Sequence, residues 1–174
     1  MKTVVVYRSK TGFTKQYAEW IAQELSADLL EGNNTSLEKL LTYDVVILGG
    51  GLYGSGINGL KLITKNFQTL KEKQLIVFAT GACVGRENEI AGILNKNFTL
   101  EQQQKIKFFY LRGGYNHSLV NPMDKFLMTL LKWKIKSKKT LTPDEKGLLA
   151  VYDHPVNFTR RKNIEKLITY VLQL

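Results

Sequence analysis

The sequence predicts one α/β domain: a doubly wound, five-stranded parallel sheet with helices on both faces, carrying a basic helical insertion after the fifth strand. Three observations predict it. The runs TVVVY, DVVILGGG, QLIVFAT and KIKFFYL are apolar nearly throughout, the mark of strands buried on both faces. Amphipathic stretches of helical spacing alternate with them, which means a parallel sheet covered by crossover helices. Residues 1–174 contain no internal repeat and no Pro/Gly/Ser linker, so the elements belong to a single domain.

In chain order, residues 3–7 form the first strand, by their β-branched enrichment. Residues 14–27 follow as a helix with Tyr17, Ala18, Ile21, Ala22 and Leu25 on one face. ADLLEG (27–32) makes a short second strand, and Leu37, Leu40 and Leu41 a short helix or turn. Residues 44–51 are a buried strand ending in glycines, a helical segment covers about 57–69, and residues 74–80 form the fourth strand. A helix then runs to about Lys96, and residues 105–111 form the fifth strand. FTRRKNIEKLITYVLQL reads as a closing helix with Ile164, Leu167, Ile168, Val171 and Leu172 on its apolar face. Residues 113–147 are surplus to such a sheet and form the insertion, with LLAVYD leading from it into the last helix.

The totals exclude several classes. One cysteine rules out an intrachain disulfide framework and a multi-cysteine metal site, and two histidines are too few for zinc without carboxylates. The apolar run in MKTVVVYRSK is short for a signal peptide, and no apolar stretch approaches the ~20 residues that span a bilayer, so a cytoplasmic protein is expected. The formal net charge is +10. That sign favours an acidic partner, an anionic membrane surface or nucleic acid; it also fits a merely basic solvated surface.

Ligands of an open parallel sheet bind outside the carboxyl ends of its strands. Three glycine-bearing loops fall there: 8–14, 49–56 and 80–86. In the first, Ser9, Lys10, Thr11, Gly12, Phe13 and Thr14 lead into a helix, whose free N–H groups and positive dipole end suit a phosphate. The hydroxyls of Ser9, Thr11 and Thr14 add donors, and Gly12 permits close approach. The bland alternative is a hydroxyl that only caps the helix. The loop is neither G-x-x-x-x-G-K-[ST] nor G-x-G-x-x-G, which counts against a nucleoside triphosphate or a dinucleotide. In the second loop, Gly51, Leu52, Tyr53 and Gly54 are the site residues: the glycines let backbone approach a flat ligand, and Tyr53 is either its stacking partner or an ordinary half-buried loop aromatic. Thr80, Gly81, Ala82 and Cys83 of the third loop complete the set. A lone cysteine such as Cys83 is expected to be a small packed residue, and His117 and His154 to be surface or capping groups.

The pattern S-x-T-G-x-T, made by Ser9, Thr11, Gly12 and Thr14 after the first strand, resembles the phosphate loop of flavodoxins. The order of elements and the second and third loops resemble the same family over most of the chain. The resemblance implies FMN as cofactor, with its phosphate on residues 9–14. It also implies an isoalloxazine ring against Tyr53, the Tyr53–Gly54 peptide near flavin N5, and residues 80–83 closing over the ring's other side. Two features depart from the family. Phe13 stands where flavodoxins often carry asparagine, and residues 80–86 hold no second aromatic and no acidic residue, which implies a ring held from one side. Arg86 beside the ring would stabilise an anionic reduced flavin and raise its potential; the alternative leaves Arg86 in solvent.

From Pro122, PMDKFLMTLLKWKIKSKK (122–139) reads as a helix with proline in its first turn. Met123, Phe126, Leu127, Leu130, Leu131 and Trp133 form an apolar arc, and Lys125, Thr129, Lys132 and Lys136 share the opposite face. Lys134 falls inside the arc, where either the helix ends or the lysine snorkels. A basic amphipathic helix of this kind docks on an acidic redox partner or an anionic membrane surface; the alternative packs its arc on the domain's own flank. Nucleic acid is not expected, because the aromatics lie with the apolar residues instead of alternating with lysines. Residues 121–146 hold seven lysines against three acidic residues, so most of the positive charge lies elsewhere.

In position and character the insertion resembles the long basic loop of flavodoxin-type protoporphyrinogen dehydrogenases, with Tyr115, Asp124, Phe126 and the lysines in the comparable stretch. That resemblance implies a tetrapyrrole substrate, a quinone acceptor and a place at the inner face of the membrane. Three functions follow as expectations. The first is an FMN-binding redox protein exchanging electrons with a partner reductase. The second is an FMN-dependent protoporphyrinogen dehydrogenase, and the third a flavin-free interaction module. No acid–base pair or nucleophile stands out, so no residue is assigned a catalytic role and the first reading leads.

Overall fold

The structure, a computed structural model, describes residues 1–120, 122–141 and 143–174. Asn121 and Thr142, inside the predicted insertion, lie outside the described residues. The elements are β1 (Thr3–Arg8), α1 (Phe13–Leu25), β2 (Asp28–Glu31), α2 (Leu37–Leu41), β3 (Val45–Tyr53), β4 (Gly56–Ile57), α3 (Lys61–Thr64), α4 (Phe67–Leu70) and β5 (Gln74–Gly81). They continue as α5 (Glu87–Asn97), α6 (Leu100–Lys105), β6 (Ile106–Arg112), β7 (Gly114–Tyr115), α7 (Pro122–Lys136), α8 (Pro143–Asp153), β8 (Val156–Asn157) and α9 (Glu165–Leu172).

The main sheet runs β2-β1-β3-β5-β6, every one of these neighbours parallel. Successive strand residues point to opposite faces, so an uninterrupted apolar run feeds two cores at once. Val4, Val6, Val46, Leu48 and Val77 pack with Leu40, Ile63, Leu70 and Ile93 on one face. Val5, Val45, Ile47, Ile76 and Phe78 pack with Tyr17, Ile21, Leu167 and Val171 on the other. The expected five-stranded doubly wound sheet is therefore present, with the chain starting mid-sheet and winding first to one edge and then to the other.

Several local expectations change. The helix expected over 57–69 is a hairpin followed by two short helices. Leu52 pairs with Ile57 and Tyr53 with Gly56 across β3 and β4. The chain then turns at Gly59 (φ 81°), where a Cβ would sit 2.2 Å from Arg8 Cγ. Asn66 separates α3 from α4 and donates its side-chain amide to the Leu62 carbonyl at 2.8 Å. Helix α6, too short to show a period, starts at a reciprocal cap in which Thr99 N–H donates to Gln102 Oε1 (3.0 Å) and Gln102 N–H to Thr99 Oγ1 (3.3 Å). On α9, Leu167 and Val171 are buried but Leu172 is 72% exposed, so the closing apolar face is narrower than its spacing implied.

The insertion is a closed excursion. Its neck is a ribbon in which Gly114 pairs with Asn157 and Tyr115 with Val156. LLAVYD is thus the end of α8 inside the excursion and not a lead into α9. Helix α7 continues through Lys134 to Lys136, and its faces are turned the opposite way from a packed helix. The polar side looks inward. Asp124 meets Lys10, Thr129 Oγ1 shares a hydrogen bond with Tyr152 Oη (2.9 Å), and Lys132 Nζ lies 4.0 Å above the Tyr152 ring. Ile135, 4% exposed, is the one buried apolar side chain of this helix among the described residues. The six residues of the apolar arc are 39–75% exposed, so this arc does not pack on the domain's own flank.

Candidate functional site

The sheet register brings the three loops to one level. Arg8, the last residue of β1, lies opposite Gly50; Gly51 lies opposite Thr80, and Gly81 opposite Arg112. Residues 9–14, 51–54 and 80–83 therefore leave the same carboxyl edge, around the switch between β1 and β3 where the winding reverses.

In the first loop, Gly12 adopts φ 89° immediately before α1. No side chain among the described residues caps this helix, and its first turn has no acidic residue. A thirteen-residue helix thus directs its initial N–H groups and positive dipole end at the edge without a side-chain acceptor. The Gly12 N–H donates to Ser9 Oγ at 3.0 Å, which curls the loop, and the space around a Gly12 Cβ is open. Thr11 is half-buried. Thr14 is buried at 3% exposure, and its hydroxyl is shared with Thr80 Oγ1 at 2.7 Å; it ties the first loop to the third. The Phe13 ring lies beneath the insertion's neck, 2.7 Å from where a Gly114 Cβ would stand. The residue that departs from the family pattern is the one on which the insertion is seated.

The second loop is the β3–β4 hairpin, with Gly54 at φ 61° in its turn. Asn97 of α5 pins it, donating to the Ser55 carbonyl (2.6 Å) and accepting from the Ile57 N–H (3.0 Å). Three of its glycines make room for the chain itself. A Cβ on Gly49 would stand 2.1 Å from the Phe78 ring, one on Gly50 would meet the Asn58 carbonyl at 2.4 Å, and one on Gly51 the Tyr53 ring at 3.3 Å. Leu52 touches the position of a Gly81 Cβ, also within the protein. Gly54 alone of the second-loop site glycines faces open space.

Tyr53 is 37% exposed and folds over Gly51, with Lys10 Nζ 4.3 Å from its ring centroid. Burial and the Asp124 carboxylate push its phenol up to about 12, against the lowering effect of a hydrogen bond from the Lys10 backbone N–H. Lys10 Nζ also contacts Asp124 Oδ2 at 2.5 Å. Lys10 consequently joins the first loop, the Tyr53 ring and the insertion.

The third loop is held from below by β6. Tyr110 Oη donates to the Cys83 carbonyl (2.9 Å), Arg112 Nε to the Ala82 carbonyl (3.4 Å), and the Gly113 N–H to the Gly81 carbonyl (2.8 Å). Gly85, at φ 79°, rests on the Tyr110 ring, 2.3 Å from it at the position of a Cβ. Burial pushes the Tyr110 phenol up. The neighbouring strand thus places an aromatic ring beneath the third loop, where it supports the loop's backbone. No spacing rule marks Tyr110, because strand register alone brings it there. Cys83 is exposed, not packed. Arg86, its side chain 59% exposed, has its guanidinium 3.7 Å from Glu89 Oε1, while Glu89 Oε2 accepts the Gly85 and Arg86 N–H groups at 2.9 and 3.0 Å.

At the neck, His117, expected to be a surface or capping group, instead joins two tyrosines in a cluster that the sequence did not predict. His117 bridges Tyr115 Oη (3.1 Å to Nδ1) and Tyr152 Oη (3.3 Å to Nε2), with its ring 4.4 Å from that of Tyr152. Tyr115 and Tyr152 lie 35 or more positions apart in sequence, and only the neck ribbon brings them together. His154 is exposed, as expected of a surface group. Among the described residues no cluster of His, Cys, Asp and Glu has the makings of a metal site.

An uncapped helix start behind a left-handed glycine, two loop hydroxyls, and no carboxylate in the first turn fit a phosphate group. An aromatic hairpin beside that start fits a flat ring. No curated protein sequence matches the chain. It is similar to the solved structure of oxidised flavodoxin 1 from Bacillus cereus, at 17% identity over 75% of this chain and 93% of that one, with a TM-score of 0.48. It is also similar to a flavoprotein in complex with FMN from Lactobacillus acidophilus NCFM (17% identity, 64% and 91% of the two chains, TM-score 0.41). Two-electron reduced Megasphaera elsdenii flavodoxin gives 17% identity, 62% and 82%, and a TM-score of 0.44. The family profile described as flavodoxin domain matches residues 4–142, most of the sequence, and the chain belongs to the flavodoxin domain family.

Proposed function

We propose that this chain binds FMN at the three loops and exchanges electrons with a protein partner. The observation that carries the reading is the uncapped start of α1 behind Ser9–Gly12, level with the Tyr53 hairpin and the third loop at the sheet's switch point, in a chain of this family. The N–H groups at the start of α1, with Ser9 and Thr11, would hold the phosphate. Tyr53 would flank the ring on one side and residues 81–83 on the other. Bound FMN would supply the electron-transfer chemistry, for which the protein provides position and electrostatics.

Within the chain, the Thr14–Thr80 hydrogen bond keeps the first and third loops at a fixed separation. Tyr110 and Arg112 keep the Ala82 and Cys83 carbonyls turned toward β6. Purified protein should show a visible flavin spectrum, and apo-protein titrated with FMN should quench its fluorescence. A protein that stays colourless and leaves FMN emission unchanged sinks this reading and favours the flavin-free module.

One observation favours a second reading. Through Asp124–Lys10 the insertion touches the phosphate loop itself, so it flanks the site as a substrate-binding element would. Under that reading the FMN-loaded protein oxidises protoporphyrinogen, a carboxylate-bearing tetrapyrrole suited to a basic rim, with a quinone as acceptor. Deleting residues 121–139 should then abolish turnover and leave FMN binding in place. FMN-loaded protein without such turnover leaves the electron-transfer reading alone.

A further inference from the structure

We propose that α7 is a surface anchor for anionic membranes, laying its outward apolar arc into the headgroup boundary of a bilayer. The proposal does not depend on the flavin. Met123, Phe126, Leu127, Leu130, Leu131 and Trp133 are 75, 63, 56, 45, 39 and 69% exposed and share one side of one helix. Soluble monomers rarely leave so contiguous an apolar surface bare. The inward side is already satisfied by the polar contacts of Asp124, Lys125, Thr129 and Lys132 with the first loop, Ser118 and Tyr152. Turning the arc inward would therefore break those contacts, and the arc's partner must be external.

Charge selects the partner. Lys134 stands four residues after Leu130 and three after Leu131, in the middle of the arc, and Lys136, Lys138 and Lys139 follow it. Asp124, the single acidic residue of the helix, is turned inward to Lys10. A second copy of this chain would set Lys134 against Lys134 and one +10 chain against another. A protein groove would have to bury Lys134 among the leucines. At a bilayer boundary the same lysine extends to the headgroups while its methylenes stay with the arc, and Trp133 beside it occupies its preferred depth. The fifteen residues of α7 are about 22 Å long, short of the ~30 Å hydrocarbon core, and no helix among the described residues is long and apolar enough to cross a membrane. The helix lies on the surface.

The test is co-sedimentation of the full chain with vesicles of phosphatidylcholine alone and of phosphatidylcholine with phosphatidylglycerol in equal parts, alongside tryptophan emission. The wild type should pellet with the anionic vesicles, shift its emission to the blue, and release at high salt. F126S/L130S/W133S should weaken sedimentation about tenfold or more. These positions are exposed, so its denaturation midpoint should hold. K134E/K136E keeps the apolar arc and should lose the preference for anionic vesicles, each lysine being worth about fivefold at such a surface. No sedimentation with anionic vesicles overturns the proposal. So does sedimentation that neither variant weakens, or a wild-type dimer that F126S/L130S/W133S turns monomeric, which would make a second copy the occupant. An acidic protein that shields Trp133 where vesicles do not would overturn it in favour of a protein partner.

Discussion

Helices α9 and α7 are both amphipathic, and the fold uses them in opposite ways. In α9 the apolar side is spent on the sheet: Leu167 is fully buried, Val171 nearly so, and both join the core with Ile47, Ile76 and Phe78. In α7 the apolar side is bare and the polar side is inward, held by an ion pair, hydrogen bonds and a lysine over a tyrosine ring. The lesson is that periodicity shows that a helix has an apolar face without saying what covers it. A helix that follows the last strand returns over an uncovered sheet face and finds its partner there. One inserted beyond a narrow ribbon is set by its neck, and its outward side is left to another surface.

The largest effect should separate the two helices directly. Leu167→Ala removes a fully buried side chain and should cost about 2–5 kcal/mol, whereas Leu130→Ala should stay within about 0.5 kcal/mol. Urea denaturation of both variants reads the difference, and a comparable loss at Leu130 would mean that the α7 arc is packed after all.

A smaller contrast divides the glycines of the second loop. Gly49→Ala drives a Cβ to 2.1 Å from the Phe78 ring and should cost about 1–3 kcal/mol or more. Gly54→Ala enters open space and should cost only the ~1 kcal/mol of its left-handed backbone. If instead both variants keep full stability and lose FMN together, the loop glycines serve the ligand and not the chain.

The smallest effect should come from Asp124→Asn, which cuts a partly exposed ion pair worth about 0–1 kcal/mol and tests whether the insertion speaks to the site. Burial and the Asp124 charge both favour the neutral Tyr53 phenol, raising it from 10.0 to about 12. Whatever stability this shift carries is fully present below about pH 10 and is lost as pH rises through about 12 in the fold. Ultraviolet phenolate titration, referenced to Tyr53→Phe, should show that tyrosine ionising at lower pH in Asp124→Asn than in the wild type. An unchanged titration would place Asp124 outside the field of Tyr53.

Much of the fold was legible because its signals are local. The central strands β1, β3 and β5 are nearly continuous apolar runs because both their faces are covered, and Tyr17, Ile21, Leu167 and Val171 announce their faces by spacing. The first loop was legible for the same reason, since Gly12 and the hydroxyls stand together in the chain. What could not be read depended on distant residues. The helix over 57–69 failed because Gly59 accommodates Arg8, a neighbour only through the sheet. Cys83 was expected to pack, yet its loop is tethered through carbonyls to Tyr110 and Arg112 and leaves the residue outside. The His117–Tyr115–Tyr152 group needed the neck ribbon to exist.

By itself the sequence determined the strand runs, the winding of the sheet and the carboxyl edge at which the three glycine-bearing loops gather. These follow from the period of apolar residues and from the backbone freedom of glycine, both properties of adjacent residues. Only the tertiary structure decided that Thr14 faces Thr80 and that the second-loop glycines serve Phe78, Asn58 and Tyr53. It alone decided that Lys10 links the first loop to Asp124, and that the apolar arc of α7 points away from the protein. Each of these depends on which surfaces meet across the fold, and a helical or strand period is the same whichever surface lies opposite.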